Sequence, residues 1–227
     1  MFVDIHTHLD NQSVIKIVDG YAEKILKTVG IHPWDVDRHF DWSEAEWRNL
    51  RQTIDSKLSY AGDFSTPFHS ARNDVSAIGE VGLDKVHKET FEKQLEVFEE
   101  MIRLSESYRK PMIIHCVRAY SEIIEMRKKT KATMPWVIHG FNSSVETMRQ
   151  LLRYDMYISL GEMLYRNENQ AVEILKNVPL DRLFLETDVS GMDIKDVYNK
   201  AAKLIGCEVE SLCKQIFENY GRLETAH

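Results

Sequence analysis

His6 and His8 stand two residues apart, directly after the apolar run Phe2-Val3-Asp4-Ile5. In a β-strand, side chains two apart share a face. Two imidazoles on one face can chelate a metal ion, although paired histidines at a strand end also occur as ordinary polar residues. Four more ligand-type residues follow short apolar runs. Glu80 follows 75–79, His115 follows 111–114, His139 follows 136–138, and Asp188 closes the run 183–187 that also holds Glu186. Neutral imidazoles with carboxylates suit Zn, Mn or Mg. Six such residues exceed what one open catalytic site needs, so one or two ions per chain are expected. Two ions about 4 Å apart can activate water and stabilise an in-line displacement at phosphorus.

These residues need a frame that brings them together. Apolar runs at 2–5, 14–18, 25–30, 75–79, 111–114, 136–138, 156–160 and 183–185 read as buried strands. Helical patterns lie between several of them. Ser43 is an N-cap for a helix over 44–57, with Glu46 as its capping-box partner. Further helices are expected over 90–108, 119–128, 144–153, 169–177, 194–205 and 208–220. In the helix over 90–108, Phe91, Leu95, Phe98, Met101, Ile102 and Ser105 share a face.

Alternating strands and helices imply a mostly parallel sheet and an α/β fold. The expected architecture is a (β/α)8-type (TIM) barrel, with 1–227 as one domain. At 227 residues the chain falls short of the ~250 typical of such barrels. The shortage lies early, where too few residues separate the first three strands for helical crossovers. The barrel is therefore expected to be trimmed or distorted near the N-terminus, with an antiparallel pair between residues 14 and 30. The stretch 57–74 reads as an irregular loop. In a parallel barrel the C-terminal strand ends form one rim, and that rim carries the active site. All six ligand-type residues are expected there.

The composition, 43% hydrophobic and 29% charged, is that of a globular protein with a sizeable core. A metal is then more useful to catalysis than to folding. The net charge of −7 argues against broad non-specific nucleic-acid binding. Cys116, Cys207 and Cys213 form no CxxC and read as reduced thiols. With neither a signal-peptide pattern nor a membrane-length apolar run, the reading is a cytoplasmic protein with no membrane role and no obligate protein partner.

Other candidates carry less. Two roles fit Asp84, four residues after Glu80: orienting a ligand through a hydrogen bond, or capping the next loop. His32 is held extended by Pro33 and either contacts substrate or packs beside Trp34. Asp4, Glu162, His69 and His87 read as structural.

Taken together, the motifs resemble the TatD-related deoxyribonuclease family of metal-dependent hydrolases. The matching pieces are Asp4-Ile5-His6-Thr7-His8, Gly30-Ile31-His32-Pro33-Trp34, Ile78-Gly79-Glu80-Val81-Gly82-Leu83-Asp84, Pro111-Met112-Ile113-Ile114-His115, Ile138-His139-Gly140-Phe141 and Leu185-Glu186-Thr187-Asp188. The closing segment near Asn219 and Leu223 resembles the family's as well. The resemblance implies that His6, His8 and Asp188 hold one ion, that His115 and His139 hold the second, and that Glu80 bridges. It makes Glu80 and Asp188 the catalytic carboxylates, Asp188 orienting or deprotonating the attacking water. It also implies phosphodiester hydrolysis, with DNA ends or small phosphodiesters as substrates.

The chain departs from the family pattern around the substrate. After His115 the arginine is displaced by one position to Arg118, a candidate phosphate contact. After Asp188, Val189-Ser190-Gly191 leads almost directly into a helix, where the family has a longer loop. The segment after His8 is shortened too. Two other readings compete: a metal-dependent hydrolase of a non-nucleic-acid ester, amide or lactone, and a non-catalytic binding protein on a decayed barrel. The intact ligand set argues against decay. Glu80, standing where related barrels use a carboxylated lysine, favours the phosphodiesterase.

Overall fold

The first three strands fold back on one another without helices. β1 (Phe2–Leu9), β2 (Gln12–Asp19) and β3 (Ala22–Val29) form an antiparallel meander, because the two-residue connections leave no room for a crossover. From β3 onward every pairing is parallel. The remaining strands are β4 (Val75–Asp84), β5 (Met112–Val117), β6 (Trp136–Ile138), β7 (Tyr157–Leu160) and β8 (Leu183–Leu185). The helices are α1 (Glu44–Leu58), α2 (Phe91–Tyr108), α3 (Tyr120–Thr130), α4 (Val145–Leu152), α5 (Met163–Arg166), α6 (Glu168–Asn177), α7 (Ile194–Ile205) and α8 (Val209–Thr225). This computed structural model describes residues 1–9, 12–20, 22–37, 43–58 and 75–225. The irregular loop expected over 57–74 lies outside the described residues from 59 onward, and His69 with it.

The eight strands form one sheet in chain order. Its edges meet where Thr7 bridges Asp188 in parallel fashion and Asp188 N–H donates to the His6 carbonyl at 3.0 Å. Buried Asp4 fastens the same seam, accepting from Thr187 N–H at 2.9 Å and Thr187 Oγ1 at 2.6 Å. The result is a nearly closed (β/α) barrel, with its helix-free irregularity at the N-terminus as the short connections require.

Local signals explain the helices. Ser43 Oγ accepts from Glu46 N–H, and Ser144 Oγ accepts from Thr147 N–H, each satisfying a first-turn donor. On α2, Phe98, Met101, Ile102 and Ser105 are buried, while Phe91 and Leu95 are half-buried. The short helix α5 has no counterpart among the sequence expectations.

Two irregularities place the site. In β1 the pairing passes from Asp4↔Lys16 to Thr7↔Val14, so β1 carries one extra residue around Ile5-His6. In β4 it passes from Ile78↔Met112 to Val81↔Ile114, with the extra residue at Gly79-Glu80. Such β-bulges re-aim a side chain while the strand continues. One expectation is corrected here: Glu80 does not end its strand, because β4 continues through the bulge to Asp84. His115 likewise lies within β5.

Candidate metal centre

The bulged segments of β1 and β4 carry His6 and Glu80 to one point. His6 is 0% exposed and Glu80 is buried beside it. His115 arrives from β5, His139 directly after β6 and Asp188 three residues after β8. Glu80 sits between two sets of imidazoles. Its Oε2 is 3.2 Å from His6 Nε2 and 3.4 Å from His8 Nε2. Its Oε1 is 2.9 Å from His115 Nδ1, 2.7 Å from His139 Nε2 and 3.2 Å from His32 Nε2. Asp188 Oδ1 lies 3.5 Å from both His6 Nε2 and His8 Nε2. The six expected ligand residues therefore converge, with one Glu80 oxygen facing each set.

Three overlapping groups could each hold a cation: His6-Glu80-His139, His6-His8-Asp188 and His32-Glu80-His115. Within each, the ligand atoms lie within 4.8 Å of one another. Buried His6 Nε2 has no aligned hydrogen-bond partner although two carboxylates face it. Buried polar atoms are ordinarily satisfied, and a divalent cation among these atoms would supply what His6 lacks. The donor set, imidazole nitrogen with carboxylate oxygen, fits a divalent metal site.

A histidine ligates through one ring nitrogen when the other can donate its proton to an acceptor. Ser13 Oγ stands 3.2 Å from His6 Nδ1. Glu186 Oε1 stands 3.7 Å from His139 Nδ1, and Asp84 Oδ2 stands 3.5 Å from His115 Nε2. Each of these rings has an oxygen behind it that could take the ring proton, which would leave the front nitrogen free to ligate. His32 is arranged the other way. Its Nδ1 accepts the Trp34 backbone N–H at 3.2 Å. A neutral His32 then carries its proton on Nε2, the atom aimed at Glu80 and at His115. His32 thus presents an N–H to the centre.

Charges follow this geometry. Burial opposes ionisation of Glu80, but the charge of His139 and hydrogen bonds from His115, His139 and His32 hold its carboxyl far below the usual range. Burial also opposes ionisation of Asp188, and the approach of His6 with the charges of His139 and His6 overcomes it, lowering its pKa. Burial and the neighbouring His139 disfavour a charged His6, yet the facing carboxylates of Asp188 and Glu80 raise its pKa. His139 is raised further despite burial, through the charge of Glu80, its hydrogen bond to Glu80 and the nearby Glu186 carboxylate. His115 moves down, chiefly by burial. Both carboxylates are thus held ionised, facing the imidazoles.

Arg118 is exposed at the end of β5 with a left-handed backbone (φ 56°), and no hydrogen bond or ion pair among the described residues links it to the cluster. Asp84 accepts from Trp34 Nε1 at 2.7 Å and from Val86 N–H at 2.8 Å, so it both caps its loop and backs His115. Sequence reasoning does not single out Ser13, Gln94 or Glu186 in these roles. Buried Gln94 clamps the loop after β4, accepting from Asp84 N–H and donating to the carbonyls of Asp84 and His87. Glu186 accepts from Gly140 N–H beside His139. The one sequence signal for Glu186 is its place directly after the last apolar run. No helix among the described residues is long and apolar enough to cross a membrane.

Known proteins share this plan. The family model described as "TatD related DNase" matches residues 1–225. The metal-dependent hydrolase YcfH of Escherichia coli (strain K12), whose activity is uncharacterised, is 32% identical over 220 residues, covering 90% of this chain and 75% of that protein. The human 3'-5' RNA nuclease TATDN2 is 32% identical over 187 residues, 76% of this chain and 22% of that protein. The crystal structure of YjjV, a TatD homologue from Escherichia coli K12, superposes with a TM-score of 0.72 at 21% identity, covering 87% of this chain and 76% of that one. The bulged barrel and its histidine–carboxylate centre are thus those of a metal-dependent hydrolase, and the chain belongs to the TatD-related DNase family.

Proposed function

We propose that the protein is a metal-dependent phosphodiesterase acting on DNA ends or on small phosphodiesters. The observation that carries the proposal is the division of Glu80, one oxygen toward His6 and His8 and the other toward His115 and His139. A carboxylate so divided suits a bridge between two cations. In this reading His6, His8 and Asp188 would hold one ion, His115 and His139 would hold the other, and Glu80 would serve both. Bound divalent ions supply Lewis-acid stabilisation of phosphoryl oxygens and lower the pKa of water.

The chain's own groups do the rest. Asp188 is ionised and 36% exposed at its side chain, so it can orient an attacking water and take its proton. His32 Nε2–H donates to a substrate phosphoryl oxygen. Arg118 offers positive charge on the rim, where a phosphate of a longer substrate would lie. The family description and the name of TATDN2 as a nuclease support a nucleic-acid phosphodiester over an ester, amide or lactone.

A substrate panel at fixed Zn, Mn or Mg concentration tests the reading. Bis(p-nitrophenyl) phosphate and 3′-labelled single-stranded DNA should be hydrolysed, and chelation should stop both. Turnover of an ester and amide panel with no cleavage of either phosphodiester would replace this reading with the second hydrolase. Failure on every substrate, with no metal bound after reconstitution, would leave the non-catalytic one.

A further inference from the structure

Tryptophan normally buries its large ring and keeps only its N–H near a partner. Trp34 does the reverse. It is 52% exposed, while its Nε1–H is tied to buried Asp84 at 2.7 Å. The ring is braced on its flanks. His32 meets it edge-on at 4.8 Å, and His87 lies tilted 48° at 5.4 Å. Asp84 itself is fixed by Val86 N–H, by the Gln94 clamp on its backbone and by the approach of His115. Freely rotating surface tryptophans lack such bracing. This one is exposed and held in one orientation.

Its position gives the orientation a use. The Trp34 ring centroid is 6.0 Å from that of His115 and 4.8 Å from that of His32, whose N–H faces Glu80. Only the His32 ring stands between a planar group lying against Trp34 and the Glu80 carboxylate. The centre is therefore bordered by an exposed aromatic ring held in one orientation.

We propose that Trp34 is a specificity-determining platform on which an unpaired nucleobase of the substrate stacks, with its attached phosphate directed to the centre. The inference rests on the phosphodiesterase reading and adds to it a specificity-determining residue, one that engages a base only when that base is free of a duplex stack. Base–aromatic stacking tolerates any base, so Trp34 selects for the presence of a base and not for its identity. Asp84, which orients the platform, also stands behind His115, so the base and metal sites share one brace.

The test compares single-stranded oligonucleotides carrying normal nucleotides with ones carrying a tetrahydrofuran abasic unit at the first, second or third position from the cleaved end. In the wild-type protein, an abasic unit at one of these positions should lower kcat/KM about tenfold or more, mainly through KM. In Trp34→Ala that selectivity should fall toward one, and Trp34→Phe should retain most of it. A wild-type protein that cleaves normal and abasic strands equally, or a Trp34→Ala variant with undiminished selectivity, would overturn the proposal while leaving the phosphodiesterase reading in place. A second readout needs no cleavage. Titration with a deoxydinucleotide should quench tryptophan fluorescence of the metal-loaded wild type and leave Trp34→Phe several-fold less affected. Equal quenching, or none in either, counts against the platform. Quenching lost in Trp34→Phe, with no cleavage of any phosphodiester, would retain the platform and overturn the reaction.

Discussion

At the scale of residues, the centre is a set of bases that protons and metal ions compete for. His6 and His139 hold their protons more tightly than ordinary histidines, because Glu80, Asp188 and Glu186 surround them. A divalent cation must displace those protons, so binding releases them and weakens as pH falls. The direction of the two shifts sets the window. Both shifts are upward, so affinity should keep rising with pH beyond the point where an unperturbed histidine has finished titrating. Competition for Zn against a chromophoric chelator, from about pH 6 to 8.5, should show this rise. An affinity that levels off where an ordinary histidine finishes titrating would contradict the upward shifts. The convergence of these side chains at one point is legible in the sequence, since most of them stand at or just beyond the end of an apolar run. The inverted tautomer of His32 is not, because it depends on where the Trp34 backbone N–H points.

At the scale of elements, two bulges matter more than the regular strands. Period-two alternation explains why His6 and His8 share a side, yet it leaves Glu80 at a strand end, where it does not lie. The extra residue at Gly79-Glu80 is a property of pairing between β4 and β5, and no local pattern in the sequence marks it. Gly82 marks its consequence. It pairs with His115 at φ +148°, and an added Cβ would fall 1.9 Å from the His115 carbonyl oxygen. Gly82→Ala should therefore push β5 away and disturb His115. The expected result is a loss of about 3 kcal/mol or more in urea unfolding, with metal retention falling in the same variant. Wild-type stability and metal content would show that β4 and β5 tolerate separation. The helices were easier to read. Ser43 caps where the sequence places it, and the helix expected from 144 begins at Val145 with Ser144 as its cap, because capping is decided within four residues.

At the scale of the whole molecule, the barrel saves chain where its sheet is antiparallel. Three strands with two-residue connections replace helical crossovers, and that trimming was readable from spacing alone. Closure was not. It depends on Asp4, Thr7 and Thr187 meeting across 180 to 183 residues. The same closure brings Asp188 against His6 and His8, so the seam of the barrel is also one half of the centre. The central claim is that this half prepares the attacking water. The most direct measurement is turnover of bis(p-nitrophenyl) phosphate by Asp188→Asn, with bound metal counted on the same sample. Turnover should fall about 10²–10⁴-fold while the ion assigned to His115, His139 and Glu80 stays bound. Near wild-type turnover by that metal-loaded variant would contradict the claim.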